Sequence, residues 1–216
     1  MLNSAQLRIA MRAAAVATAF GAAQATAGVM IDPVSATTNM GESFPLVHAI
    51  DQSGLTANYV SGVTNFDTFV AATTHDSQPG NDFVAVNGTG SIVFNLGSVL
   101  GIDEASVWNF GGRAGFISFG IKDITLEWSA DNITYKPIGA FTLPQGVTGV
   151  NTPAVVLAFG AAVNAQYIRT NVLSNYGSGS ALGEIAFSQV QVPEPTSLAL
   201  LAIGLAALGI RRRRAS

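Results

Sequence analysis

The chain has 216 residues, with ten Lys and Arg against thirteen Asp and Glu, two histidines and no cysteine. The missing cysteines exclude disulfides, thiol nucleophiles, zinc fingers and iron–sulfur clusters. The charge is unevenly placed. Between Gly28 and Val192 only Arg113, Lys122, Lys136 and Arg169 stand against twelve acids, a formal charge of −8. Arg8 and Arg12 make one end basic, and Arg211, Arg212, Arg213 and Arg214 the other. A body this acidic argues against nucleic acid as a partner, because phosphate contacts need a basic surface.

The first 27 residues read as an export signal. Arg8 and Arg12 form a positive start, Ala13 to Ala23 is a run of small apolar residues, and Ala25-Thr26-Ala27 supplies an A-x-A cleavage pattern before Gly28. A folded amphipathic helix is the competing reading, but the run has no polar face.

Residues 28–192 are long enough for one domain with its own core. Short alternating or apolar runs are separated by Gly, Asn, Asp, Ser and Pro, and no helical period is sustained. Asp32 to Met40 is a polar lead-in. Phe83 to Val86 and Ser91 to Leu96 flank Asn87-Gly88, which predicts a hairpin. In Ile121 to Ser129, Ile124, Leu126 and Trp128 share one face, with Thr125 and Glu127 on the other. Asp131-Asn132 marks the next turn and Tyr135 to Phe141 the next strand. Val155 to Phe159, Ala165 to Thr170 and Ala181 to Val190 complete the set. Many short strands predict an all-β domain, an antiparallel β-sandwich or jelly roll, with Trp128 and Tyr135 as core aromatics. His48 is expected in a strand and His75 in a polar loop. No zinc-protease or nucleophile-elbow motif is present, and no acidic pair is selected by spacing, so the chain is not read as an enzyme.

The end of the chain has three parts: Pro193-Glu194-Pro195, fourteen uncharged residues from Ser197 to Ile210, and the cluster Arg211, Arg212, Arg213 and Arg214. As a helix the middle part would be about 21 Å long, short for a hydrocarbon core of about 30 Å. The arginines would stop on the cytoplasmic side. This order resembles the PEP-CTERM sorting signal of Gram-negative bacteria. The resemblance implies a transient inner-membrane intermediate and recognition by an exosortase-type transpeptidase. It further implies release to the surface or matrix of a cell that makes exopolysaccharide. An ordinary short membrane anchor is the alternative. The expected organisation is a signal helix over 1–27, a β-sandwich over 28–192 and a sorting segment with a short transmembrane helix over 193–216.

A second resemblance covers Phe44 to Val190. "HAIDQSGL", "GSIVFNLGS", "ASVWNF", "IKDITLEWSADNITYKPIG", "AQYIRTNV" and "ALGEIAF", in that order, are similar to a discoidin domain, a galactose-binding-like jelly roll. The family's early Asp-Gly turn is here Asp51-Gln52-Ser53-Gly54, and its hairpin Trp is Tyr135. The resemblance implies a structural calcium ion near Asp51 and Glu184, with Gly54 letting a carbonyl turn inward. It also implies glycan binding on end loops, for which Asn109, Phe110 and Arg113 in one loop and Asn175 and Tyr176 in another are the candidates. A non-catalytic surface protein that binds or organises exopolysaccharide follows. A purely structural or adhesive surface protein without a sugar site is the alternative, and a polysaccharide-active enzyme a more distant one. Mass spectrometry of the protein recovered from its host is expected to find Gly28 first and all four C-terminal arginines gone. A mature chain still starting at Met1 overturns the export reading.

Overall fold

The computed structural model describes residues 28–190 apart from 79, 112, 113 and 178. The expected signal helix over 1–27 lies outside the described residues. So do the Pro193, Glu194 and Pro195 motif, the C-terminal apolar helix, and Arg211, Arg212, Arg213 and Arg214. Among the described residues no helix is long and apolar enough to cross a membrane.

The body is all-β and antiparallel. Its strands in chain order are β1 (Val29–Ile31), β2 (Ser35–Thr38), β3 (Glu42–Phe44), β4 (Thr74–His75), β5 (Phe83–Ala85), β6 (Gly90–Asn109), β7 (Asp123–Ser129), β8 (Lys136–Thr142), β9 (Thr152–Pro153), β10 (Val155–Val172) and β11 (Ala181–Gln189). One short helix, α1 (Phe66–Ala72), interrupts them. The main path runs β3-β5-β11-β6-β10-β7-β8, with β1 on β11 and β2 on β6.

Two strands of unusual length turn this path into a sandwich. The first part of β6 pairs with β2 and with the last part of β10, as in Phe94 with Ala36 and Ile168. The last part of β6 pairs with β11 and with the first part of β10, as in Val107 with Ile185 and Val155. Each strand therefore serves both layers, changing layer at a bend. Gly97 (φ +84°) marks the bend in β6 and Gly160 (φ +78°) the bulge in β10 between Ala158 and Val163. The stretches Val155–Phe159 and Ala165–Thr170, expected as two strands, are one.

The core lies between the layers. Ile92, Phe94, Ile124, Leu126 and Ile168 face Ile102, Val107, Ile185 and Phe187, all essentially sealed from solvent. The alternation read in β7 holds for Ile124 and Leu126. Trp128, farther along, is half-buried, packs on the core edge and carries Lys136 Nζ 4.8 Å from its ring centre. Tyr135 is not a core residue: it is half-buried at the β7–β8 turn, with the Arg169 guanidinium 3.8 Å over its ring.

A smaller apolar cluster covers the outer face of the first layer, the one formed by β1, β11, the last part of β6 and the first part of β10. Asn65 caps α1 by accepting from the Thr68 N–H, and Phe66, Phe69 and Val70 then share one helical face. They pack with Met30, Tyr59, Trp108 and Ala186. Thus β11 is buried on both faces. The indole of Trp108 donates to the Thr73 carbonyl (3.0 Å).

Three expectations need correction. Asn87-Gly88 does not join a hairpin, because β11 stands between β5 and β6. His48 sits in a 3-10 turn, Leu46–Ala49, not in a strand. His75 is fully buried in β4 rather than set in a polar loop.

That burial depends on two glycines. A methyl on Gly54 would lie 2.7 Å from His75 Nε2, and one on Gly183 would lie 2.7 Å from Nδ1 and 2.8 Å from the Trp108 carbonyl. Gly183→Ala is expected to cost about 2 kcal/mol by forcing this corner apart. Gly101→Ala, whose new methyl meets nothing nearer than 3.9 Å, should be close to neutral. Urea denaturation of the two variants checks the difference.

Candidate functional site

Beside the edge strand β3, where β6 ends, lies an open cleft of about 200 Å³. Phe44 closes β3, Val84 comes from β5, and Phe110 directly follows β6. Phe116 and Phe119 come from the loop that ends in the 3-10 turn Ile117–Phe119. Ser43, Gly80 and Asp82 complete the wall. Phe44 and Phe116 are 40% and 43% exposed, a high fraction for so large an apolar ring. The Phe116 and Phe119 rings lie tilted, with centroids 5.9 Å apart. Beneath the cleft, His75 Nδ1 is 3.7 Å from Asp82 Oδ1, while Nε2 donates to the Ser53 carbonyl at 2.8 Å. Burial pulls the imidazole below its ordinary value, so His75 is neutral at physiological pH.

The loop residues singled out in the sequence are placed unequally. Asn109 is fully buried: its amide donates to the Ile121 and Pro144 carbonyls, and its oxygen accepts from the Phe110 and Ile121 N–H groups. All its capacity is spent inside the fold. Phe110 reaches the cleft, but only 5% of it is exposed, which makes it floor rather than platform. Arg113 lies outside the described residues. Asn175 staples its loop, donating to the Gly88 carbonyl and accepting from the Gly177 N–H. The Tyr176 hydroxyl donates to the Leu143 carbonyl at 2.7 Å. The two loops do meet, since Gly177 and Gly179 pack on Ser118 and Phe119. The residues that sequence reasoning missed are Phe44, Asp82, Phe116 and Phe119. Their one local signal is the aromatic pair in the Gly-rich segment Gly111–Gly120.

The expected metal residues are likewise split. Glu184, on β11, is fully buried, and its Oε2 accepts from the Gln52 N–H at 2.9 Å. Asp51 is half-exposed in its side chain and accepts from the Ser53 N–H. The Gly54 carbonyl accepts from the Asp76 N–H. Gln52, held at φ +64°, is the hub of this corner. Besides Glu184 it reaches Asp32 Oδ2 (3.4 Å) and the Tyr59 carbonyl (3.3 Å), and it accepts from the Tyr59 N–H (2.9 Å). Glu184 Oε1 is buried with no hydrogen bond among the described residues, while Asp32 Oδ1 and the Tyr59 hydroxyl, also buried, have only each other's imperfect contact. Burial, and then the charge of Asp32, push the Glu184 carboxyl well above its ordinary value. Burial also raises Asp32. Among the described residues no three His, Asp or Glu converge as a metal cage. A cation here would need carbonyl or water oxygens beside the one unpaired oxygen of each carboxylate.

Comparison with known proteins agrees with this architecture. Residues 191–214 match the PEP-CTERM protein-sorting motif, a span that takes in Arg211, Arg212, Arg213 and Arg214. That motif indicates export and exosortase-mediated, membrane-associated sorting. No curated protein sequence matches significantly. Among solved structures, the family 32 carbohydrate-binding module of Clostridium perfringens NanJ, in complex with galactose, aligns at 13% identity and TM-score 0.50. It covers 74% of this chain and 98% of that one. The CBM32-1 and CBM32-2 domains of C. perfringens ZmpB, in complex with GalNAc, align at 9% identity and TM-score 0.52, over 76% of this chain and 36% of that one. Truncated AlyQ, with CBM32 and alginate lyase domains, aligns at 14% identity and TM-score 0.49, over 76% and 34%. The chain thus spans about a third of these multidomain relatives. At such identities the likeness is one of fold. The chain carries the PEP-CTERM sorting motif behind a body with the discoidin-like fold of the CBM32 carbohydrate-binding modules.

Proposed function

We propose that this protein is a non-catalytic glycan-binding protein, delivered by its sorting segment to the surface or extracellular matrix of a Gram-negative cell, where it holds exopolysaccharide. The observation that carries this reading is the cleft with two solvent-facing phenylalanines, Phe44 and Phe116, on a half-buried aromatic wall. An exposed aromatic face stacks on the apolar face of a pyranose, and nearby polar groups fix its hydroxyls. Ser43 and Asp82 are the polar groups in the wall. Arg113 belongs to the same sequence segment and would add a donor. Asn109, Asn175 and Tyr176 support the loops rather than touch the sugar. The matched modules are binding modules, some of them in enzymes, and no catalytic constellation was found in the sequence.

We further propose a structural calcium ion at the corner of Glu184 and Asp32. The orphaned oxygens of these two carboxylates would be its anionic ligands, in place of Asp51 and Gly54, whose oxygens are bonded elsewhere.

Phe44→Ala and Phe116→Ala are each expected to weaken retention on host exopolysaccharide by about tenfold, with the thermal midpoint unchanged. Unaltered retention in both would sink the cleft.

The calcium site makes an opposite prediction with and without metal. Stripped of metal, Glu184 has a folded pKa above its unfolded value, near 4.5. Its contribution is then fully present below that value and lost as pH rises toward the folded pKa. The metal-free protein should therefore lose stability as pH rises from the ordinary carboxylate range toward neutrality, and Glu184→Gln should reduce that loss, leaving the smaller part due to Asp32. Bound calcium holds the carboxylate ionised, so EDTA at neutral pH should lower the midpoint of the wild type but not of Glu184→Gln. An EDTA-insensitive wild type means that calcium is not held there.

A further inference from the structure

The two layers of the sandwich differ in what covers them. The first is covered by α1 and its apolar cluster. The outer face of the second, formed by β2, the first part of β6, the last part of β10, β7 and β8, has no helix over it among the described residues. Register fixes its composition. Glu127, Arg169, Val93 and Thr37 lie in one row, Thr125, Asn171 and Ser91 in the next, and Ser129, Tyr167, Asn95 and Ser35 in a third.

This face is more ordered than a solvated sheet surface needs to be. Arg169 Nε and one terminal nitrogen both donate to Glu127 Oε2 at 2.7 Å. Asn171 Nδ2 donates to the same oxygen at 2.9 Å and to Thr125 Oγ1 at 3.2 Å. The guanidinium lies over Tyr135. On the same face Tyr167 accepts from Gln166 Nε2. Arg169 and Glu127 are half-buried, and three donors converge on one carboxylate oxygen, more than a single surface ion pair would need. Side chains already fixed by one another lose little freedom when a ligand arrives, which is the condition for a binding surface. The body has only four basic residues, and one of them stands in the middle of this face with its charge cancelled by Glu127.

We propose that this face is a second glycan-binding surface, in which Tyr167, Arg169, Asn171 and Glu127 hold a stretch of uncharged polysaccharide laid across β7 and β10. Its chemistry selects that occupant. The Arg169–Glu127 pair has no net charge to attract a polyanion, and the surrounding body is acidic. The Asn171 amide oxygen and the hydroxyl protons of Thr125 and Tyr167 are left as uncharged acceptor and donors beside an aromatic ring. The ligand class rests on the glycan reading above, but the residues are independent of the cleft. Two sites on one domain would tie separate polymer chains together, and attachment at one would raise the effective concentration at the other.

The test uses mature protein recovered from its host, run in native gels containing a neutral galactan, a neutral β-glucan or acidic alginate, with turbidity read on mixing. The wild type should be retarded by a neutral polymer and should cloud the mixture. Tyr167→Ala and Asn171→Ala, each checked for an unchanged thermal midpoint, should lose the turbidity. Tyr167→Ala should weaken retardation by about tenfold. Phe116→Ala should also lose turbidity while keeping the retardation due to the sheet face. If both face variants fold and behave as wild type, the second surface does not exist and the cleft reading stands. If Phe116→Ala is silent while the face variants lose binding, the cleft falls and the face remains. Tighter retardation by alginate than by either neutral polymer overturns the choice of ligand.

Discussion

The pairing of β6 with β10 is the constraint on which the rest of the molecule depends. These two strands lie side by side from Val172 opposite Gly90 to Val155 opposite Val107, and they cross between layers together. Every other strand of the main sheet traces back to one of them, directly or through one or two intervening strands. The core is the space enclosed where they bend. With no disulfide to close the chain, this ladder and the apolar residues on its inner side hold the fold.

The ladder also decides where function can sit. The end of β6 sends Asn109 into the interior, where its four hydrogen bonds fix the start of the Phe110–Phe119 loop. The aromatic cleft is thus mounted on a rigid post. At the neighbouring corner, buried Trp108, His75 and Glu184 and half-buried Gln52 form a polar zone that two glycines make room for. A buried carboxylate without a full set of partners costs free energy unless it is protonated or meets a cation. The unpaired carboxylate oxygens therefore make this corner the least settled part of the interior.

Much of the architecture was legible in the residues. The period-two pattern of β7, the Asp131-Asn132 turn and the strand after it appear where alternation and turn chemistry put them. The long strands were not legible as units. Gly97 and Gly160 read as breaks, while in the fold they are bends within continuous ladders. Asn87-Gly88 has the composition of a hairpin turn, but a local signal carries no information about β11, nearly a hundred residues away, which takes the intervening place. Helix α1 was missed because its seven residues are too short to show a period, although Asn65 and the Phe66, Phe69, Val70 spacing carry a cap and a face. At the site, Asn109 beside a glycine pair looks like a loop ligand, but it ends a strand and is buried. Phe44 lies some seventy residues from Phe116 in the chain, so only the tertiary fold brings the two rings to one cleft.

The β6–β10 ladder has a consequence for delivery. Its closing contacts join residues about eighty positions apart, the kind of non-local topology that folds slowly. The inner half of the sandwich cannot assemble until the chain has been made past Val172. A polypeptide bound for export has to remain threadable until it has crossed. A late-closing topology of this kind leaves most of the body unpaired until its last strands have been made.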